Sequence, residues 1–264
     1  MQIIIISAVI IGGIGLIIGL LLGIAGKKFA VEVDEREVLV REELPGNNCG
    51  GCGFPGCDGL AAAIAKGEAP VDGCPVGGAP VAAKIGAIMG QEVVEGARKV
   101  AYVRCGGCSS KAKNQYVYDG IKDCAMMAYV PNGGAKFCNE GCLGFGSCVS
   151  ACNFDAIHIV DGVAVVDREA CKACGKCVAA CPQHLIDLVP YDNKSLVRCK
   201  CSDRGKVVMN ACEVGCISCS KCVKKCPQQA ITLEGNVVRI DFEKCDNCGT
   251  CVAECPRHAI ELQA

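Results

Sequence analysis

The sequence predicts an α+β protein of small cysteine-rich domains behind an N-terminal transmembrane helix, and three observations predict it. The first 26 residues, MQIIIISAVIIGGIGLIIGLLLGIAG, carry no charged side chain. The rest of the 264-residue chain holds all 26 cysteines, while the whole sequence has no tryptophan and only 4% aromatics. The cysteines of the C-terminal half recur at one fixed offset, as Cys138 and Cys212 illustrate at 74 positions. Large apolar side chains are thin after the first segment, so packing alone holds little; disulfides or metals are the usual substitutes. A formal net charge of −1 gives no reason to expect a nucleic-acid partner.

Residues 1–26 read as an uncleaved membrane anchor. About 20 apolar residues span a bilayer as a helix. A signal peptide carries its positive charge before the apolar run, whereas here Lys27 and Lys28 follow it. Lysines just past a span place that side in the cytoplasm. The chain is therefore expected at the cell (inner) membrane, single-pass, with its soluble part cytoplasmic. Gly15, Gly19 and Gly23 recur every four residues; that spacing lets another membrane helix approach, although glycine is also simply common in such helices. Cytoplasmic thiols stay reduced, which favours metal ligation over disulfides.

The charged stretch EVDEREVLVREELPG reads as a solvated linker into a first cysteine-rich domain, set at residues 32–91. Its core is CGGCGFPGC, which supplies Cys49, Cys52 and Cys57, with Cys74 following at C-x2-C-x4-C-x16-C spacing. Four reduced thiols on a glycine-rich backbone suit a [4Fe–4S] cluster, because glycine permits close backbone approach. Zinc is the rival for the same ligands. DGLAAAIAK, residues 58–66, reads as a short helix, and the Ala- and Gly-rich 79–101 includes a second. Residues 92–130 read as a connecting segment with extra cysteines.

Two copies of one module follow, at 131–190 and 207–264, with a linker at 191–206. Cys138, Cys142, Cys148 and Cys152 pair with Cys212, Cys216, Cys222 and Cys226; Cys171, Cys174, Cys177 and Cys181 pair with Cys245, Cys248, Cys251 and Cys255. VRC at 103–105 returns at 197–199, an offset of 94, so the first copy carries a 20-residue insertion. AIHIVDGVAVVD and AITLEGNVVRID supply the β-like runs between cysteine loops.

CKACGKCVAACP, CISCSKCVKKCP and CDNCGTCVAECP each read C-x2-C-x2-C-x3-C-P. This is the bacterial ferredoxin run, whose fourth cysteine ligates the neighbouring cluster. The rule assigns Cys216, Cys219, Cys222 and Cys255 to one cluster, and Cys245, Cys248, Cys251 and Cys226 to another. It assigns Cys171, Cys174, Cys177 and Cys152 to a third. The remaining site is irregular, because Phe145 stands where Cys219 has its counterpart and Asn153 replaces the proline. Cys138 is inferred to complete it with Cys142, Cys148 and Cys181; otherwise the site is a three-iron or empty one.

Five clusters use twenty cysteines. Cys105, Cys108, Cys124, Cys199, Cys201 and Cys212 are left for a further metal site, spare thiols or reversible disulfides. His158, His184 and His258 are the only histidines; the latter two are repeat-equivalent and are expected to shape the cluster edge. No nucleotide-binding glycine motif and no nucleophile or paired-carboxylate constellation is present, so no independent catalytic site is expected. A row of clusters behind an anchor implies a membrane-tethered electron carrier.

The chain resembles the B-subunit family of the Rnf complex, the ion-pumping ferredoxin:NAD oxidoreductase of bacteria. The resemblance covers the whole chain. It rests on the apolar anchor, on LPGNNCGGCGFPGCDGLAAAIAKGEAPVDGCPVGG, on GCLGFGSCVSACNFDAIHIVDGVAVVD and on the ferredoxin runs. It resembles the long form with two ferredoxin modules. The resemblance implies a translocase component that takes electrons from soluble ferredoxin and passes them to membrane and flavin/NADH subunits, coupled to Na+ or H+ translocation. It also implies that Cys49, Cys52, Cys57 and Cys74 are cluster ligands. An electron-transfer component of another membrane-bound hydrogenase or reductase is the alternative.

Overall fold

The computed structural model describes residues 2–28, 34–93 and 96–263, with side chains of the first stretch described from Gly12 onward, Lys27 excepted. Helix α1 runs Gln2–Lys28. Among the described residues no helix is long and apolar enough to cross a membrane. The first part of the expected 1–26 anchor lies outside the described side chains.

The N-terminal domain packs three helices, α2 (Glu35–Glu43), α3 (Cys57–Ala65) and α4 (Gly78–Met89). The stretch read as a solvated linker is thus largely helical. Asp34 caps α2 by accepting from Arg36 N–H at 2.9 Å, the usual role of an N-cap carboxylate. Val40 and Leu44 lie four residues apart, one helical turn, and both are buried against Leu60, Ile64 and Ile85. The charges that suggest a linker occupy the outer face.

Both C-terminal modules follow one plan. In the first, β1 (Lys99–Val103) pairs antiparallel with β4 (Ile186–Pro190), and β2 (Ile157–Val160) forms a hairpin with β3 (Val163–Val166). Short helices α5 (Ser147–Ser150) and α6 (Lys176–Ala180) carry the cysteine loops. In the second, β5 (Ser195–Val197) pairs with β8 (Ile260–Leu262), and β6 (Ile231–Glu234) with β7 (Val237–Ile240). Helix α7 (Gly205–Ala211) precedes α8 (Lys221–Lys225) and α9 (Thr250–Ala253), the counterparts of α5 and α6. The two hairpins bury Ile157, Ala164, Ile231 and Val238, one face of each ribbon, while His158, Val165, Thr232 and Arg239 remain outside. Strand β1 falls in the segment read as a connector and β5 in the segment read as a linker. Each closes its own module, because the strand that follows the last cysteine run needs a partner for its backbone groups.

The modules are stitched to one another. Tyr102 O–H donates to Val197 O at 3.1 Å, Gly106 N–H to Arg198 O at 2.8 Å, and Arg198 to Cys105 O at 3.1 Å. The inserted segment reaches the second module directly, with Lys113 N–H donating to Ala211 O and Glu213 N–H to Lys111 O, each at 2.9 Å.

Candidate iron–sulfur sites

All 26 cysteines carry free thiols. Among the described residues, no three His, Cys, Asp or Glu converge as ligands of a single ion. The thiols instead ring cavities and loops. Cys216, Cys219, Cys222 and Cys255 line one cavity, walled by Ile217 and Ile260. Cys177 faces Cys171, Cys174 and Cys152. Cys251 faces Cys245 and Cys248, and Cys226 packs into the same apolar cluster. The folding thus sets Cys255 beside the Cys216–Cys222 loop and Cys152 beside the Cys171–Cys177 loop, across the strands that separate them in sequence.

The irregular group is different. One cavity is lined by Cys142, Cys148, Cys181 and Cys124. Cys138, the inferred fourth member, faces a separate cavity with Cys105, Cys199, Cys201 and Cys212. The loop explains the exchange. Gly144 and Gly146, at φ +78° and +82°, take the left-handed positions that Ser218 and Ser220 take at +55° and +59° in the second module. The loop conformation is kept while Phe145 stands in the place of Cys219. Phe145 turns toward Tyr118 of the insertion, with ring centroids 5.9 Å apart. The insertion brings Cys124 to the site, where its N–H donates to Ser147 Oγ at 3.1 Å. Sequence reasoning missed Cys124; the 20-residue excess of the first copy was the available signal.

The N-terminal loop gathers Cys52, Cys57 and Cys74 around the α2–α4 core. Asn48 Oδ1 accepts Cys57 N–H at 2.8 Å and so folds the loop that starts at Cys49 back on itself. Gly77 N–H donates to Cys74 Sγ at 3.3 Å. This loop lies against the first module, where a Cβ on Gly51 would come within 2.7 Å of Cys174 O.

Whether these groups suit a cluster is tested by their donors and charge. Backbone N–H groups point at the sulfurs throughout: Ala156 to Cys152 at 3.5 Å, Leu185 to Cys181 at 3.5 Å, Ala230 to Cys226 at 3.4 Å, and Ala259 to Cys255 at 3.3 Å. Amides aimed at sulfur are how such sites tune an iron–sulfur core. Burial pushes the thiols of Cys148 and Cys199 up to about 12 and those of Cys177 and Cys222 up to about 11. Thiolates in such surroundings need a cationic partner, and soft sulfur donors select iron–sulfur cores or zinc. The residues fit [4Fe–4S] clusters, which share charge over several irons and occupy a space larger than one ion.

The histidines have a backbone explanation. Asp155, His184, Gln229 and His258 occupy equivalent turn positions at φ +49° to +50°. His184, Gln229 and His258 donate N–H to the carbonyl of the preceding cysteine at 3.0–3.3 Å. Asp, His and Gln share no side-chain chemistry that all four positions use, so the turn is what the site requires.

Comparison with known proteins agrees with this geometry. Residues 44–76 match the FeS (Fe-S cluster) family, 164–187 the 4Fe-4S binding domain, and 215–262 the 4Fe-4S dicluster domain. The chain is 48% identical over 237 residues to the B subunit of the Na(+)-translocating ferredoxin:NAD(+) oxidoreductase complex of Acetobacterium woodii, covering 89% of this chain and 71% of that protein. It is 44% identical to the B subunit of the ion-translocating oxidoreductase complex of Methanosarcina acetivorans, covering 90% of each. It is 43% identical to the B subunit of the proton-translocating ferredoxin:NAD(+) oxidoreductase complex of Clostridium ljungdahlii, covering 93% and 87%. The matches to iron–sulfur domains and this likeness over most of the chain lead to one conclusion: the chain belongs to the B-subunit family of the Rnf complex, whose members are components of ion-translocating oxidoreductases.

Proposed function

We propose that this chain is the membrane-anchored electron-transfer component of its Rnf complex, taking electrons from soluble ferredoxin and delivering them to the membrane, flavin and NADH subunits. In the assembled complex that flow is coupled to Na+ or H+ translocation. [4Fe–4S] clusters bound to the cysteine groups supply one-electron storage and transfer. Cys49, Cys52, Cys57 and Cys74 hold one cluster, and Cys171, Cys174, Cys177 and Cys152 another. Cys216, Cys219, Cys222 and Cys255 hold a third, and Cys245, Cys248, Cys251 and Cys226 a fourth. Cys142, Cys148 and Cys181 hold a fifth, with Cys124 rather than Cys138 as the remaining ligand.

The observation that carries this reading is the contact of Gly51 with Cys174. It sets the Cys49 loop directly on a ferredoxin loop, so the domain next to the anchor continues the series that runs through the modules. Entry at the far end is supported by the exposure of Cys219 and Cys248, against buried Cys222 and Cys251. Exposed Lys221, Lys224 and Lys225 on α8 suit an acidic donor. The anchor is supported by the absence of charge before Lys27 and by the outward apolar side chains of α1, among them Leu16 at 71% and Leu22 at 67% exposed.

The test is Cys49→Ser in the intact complex. Ferredoxin-dependent NAD reduction is lost while the complex still assembles and module clusters still reduce. Unchanged activity removes the Cys49 group from the path.

A further inference from the structure

Five thiols from both modules meet in a cavity that none of the five sites above uses. Cys105 and Cys138 come from the first module; Cys199, Cys201 and Cys212 come from the second. Four of them form two repeat-related pairs. Cys105 and Cys199 each end a VRC element, and Cys138 and Cys212 are 74 positions apart. Each module thus presents the same two thiols to one space.

We propose that Cys105, Cys138, Cys199 and Cys212 hold a sixth [4Fe–4S] cluster that joins the two ferredoxin modules into one electron path. This rests on the electron-transfer reading given above. The sulfurs converge: a Cβ on Gly107 would lie 3.2 Å from Cys212 Sγ and 3.7 Å from Cys105 Sγ, and one on Gly141 would lie 3.5 Å from Cys138 Sγ. Cys138 in turn has Cys199 and Cys105 as neighbours. Cys201, the fifth thiol, sits within hydrogen-bonding reach of Cys138 and at 3.7 Å from an Asp203 carboxylate oxygen, so it acts as a donor beside a ligand. Cys108 turns away to Ser110 Oγ at 3.1 Å.

The charge of the walls fits an anionic core. Arg104, Lys136, Arg198 and Lys200 line the cavity with one acid, Glu140, whose carboxylate accepts from Ser202 N–H and Oγ at 2.7 and 2.6 Å. Arg104 and Arg198 are themselves paired at the rim, Arg104 with Asp187 at 3.5 Å and Arg198 with Glu261 at 3.7 Å, whereas Lys136 has no carboxylate partner among the described residues. Lys136 Nζ is fixed there by Gly107 O at 2.9 Å and Gly162 O at 3.1 Å.

The position is that of a bridge. Cys142 N–H donates to Cys105 Sγ at 3.4 Å, tying this cavity to the Cys124 group of the first module. The amide of Cys216 approaches the Cys199 thiol in the same way, tying it to the Cys219 group of the second. One electron lost on one side is gained on the other, with no bond or proton changed.

The test is iron, acid-labile sulfide and zinc per full-length chain, purified without oxygen in detergent and reconstituted. Six cubanes give about 24 iron and about 24 sulfide, against about 20 of each for five. Cys105→Ser and Cys212→Ser lower both counts to about 20, whereas Cys201→Ser and Cys108→Ser leave them at about 24. A wild-type chain with about 20 iron, with or without one zinc, overturns the sixth cluster and leaves the five-cluster reading standing. Absence of iron and sulfide overturns that reading itself. Should Cys105→Ser or Cys212→Ser fail to accumulate, integration of the reduced protein's paramagnetic signal in wild type against Cys201→Ser and Cys138→Ser decides: loss of about one sixth only in Cys138→Ser is expected, and equal signals in all three overturn the assignment.

Discussion

The N–H of Cys124 donates to Ser147 Oγ at 3.1 Å, one residue before Cys148. Through this bond the insertion of the first module brings a thiol beside the loop in which Phe145 stands at the position of Cys219.

Cys124→Ser is therefore expected to lower iron by about four per chain, or by about one if a three-iron core survives. Adding Phe145→Cys to that variant restores the count, because Gly144 and Gly146 already hold the loop in the shape that presents Cys219 in the second module. Iron and sulfide analysis of the two variants checks both halves; full iron in Cys124→Ser returns the site to another ligand.

Gly51→Ala places a Cβ 2.7 Å from Cys174 O and 3.0 Å from Cys174 Cβ. Backbone cannot give way cheaply, so docking of the N-terminal domain weakens by about 1–3 kcal/mol. Cleavage by protease within residues 91–98 rises in proportion to the open population, at unchanged iron content. Equal cleavage rates argue that the two domains are held elsewhere.

Tyr102 donates to Val197 O at 3.1 Å across the module interface. Burial, ahead of its charged neighbours, pushes its hydroxyl up from 10.0 to about 12. The folded state therefore keeps a proton that the unfolded state releases. The stabilisation is complete below pH 10 and is lost as pH rises from 10 toward about 12. Tyr102→Phe costs about 0.5–1.5 kcal/mol at neutral pH and flattens the alkaline limb. Anaerobic melting curves of both proteins between pH 8 and 12, followed by loss of cluster absorbance, separate this group from general alkaline damage.

Removal of residues 1–28 is expected to release the chain into the soluble fraction with its clusters intact, and to abolish its association with membranes lacking the other subunits. Fractionation of cells expressing this chain alone checks it; retention of the truncated chain on such membranes assigns the attachment to a later segment.

The thiol groups that are local in sequence were legible in it. A C-x2-C-x2-C run can wrap one cluster corner, and a fixed offset repeats the module, so three ferredoxin groups and the Cys49 loop followed from spacing. Charge in EVDEREVLVREELPG concealed α2, because an outer face rich in Glu and Arg outweighs two buried apolar residues, Val40 and Leu44, when composition alone is read. The exchange of Cys124 for Cys138 depended on tertiary structure. Both residues lie outside any cysteine run, and their nearness to a loop is set by how the insertion folds over Tyr118 and Phe145. The meeting of Cys105, Cys138, Cys199 and Cys212 between modules was likewise decided only by packing, since inter-module hydrogen bonds such as Gly106 N–H to Arg198 O carry residues 94 positions apart to one cavity. Sequence determined the cysteine runs and how often the unit repeats; long-range contacts decided which thiols share a cavity, because residues far apart in the chain meet only when the modules pack.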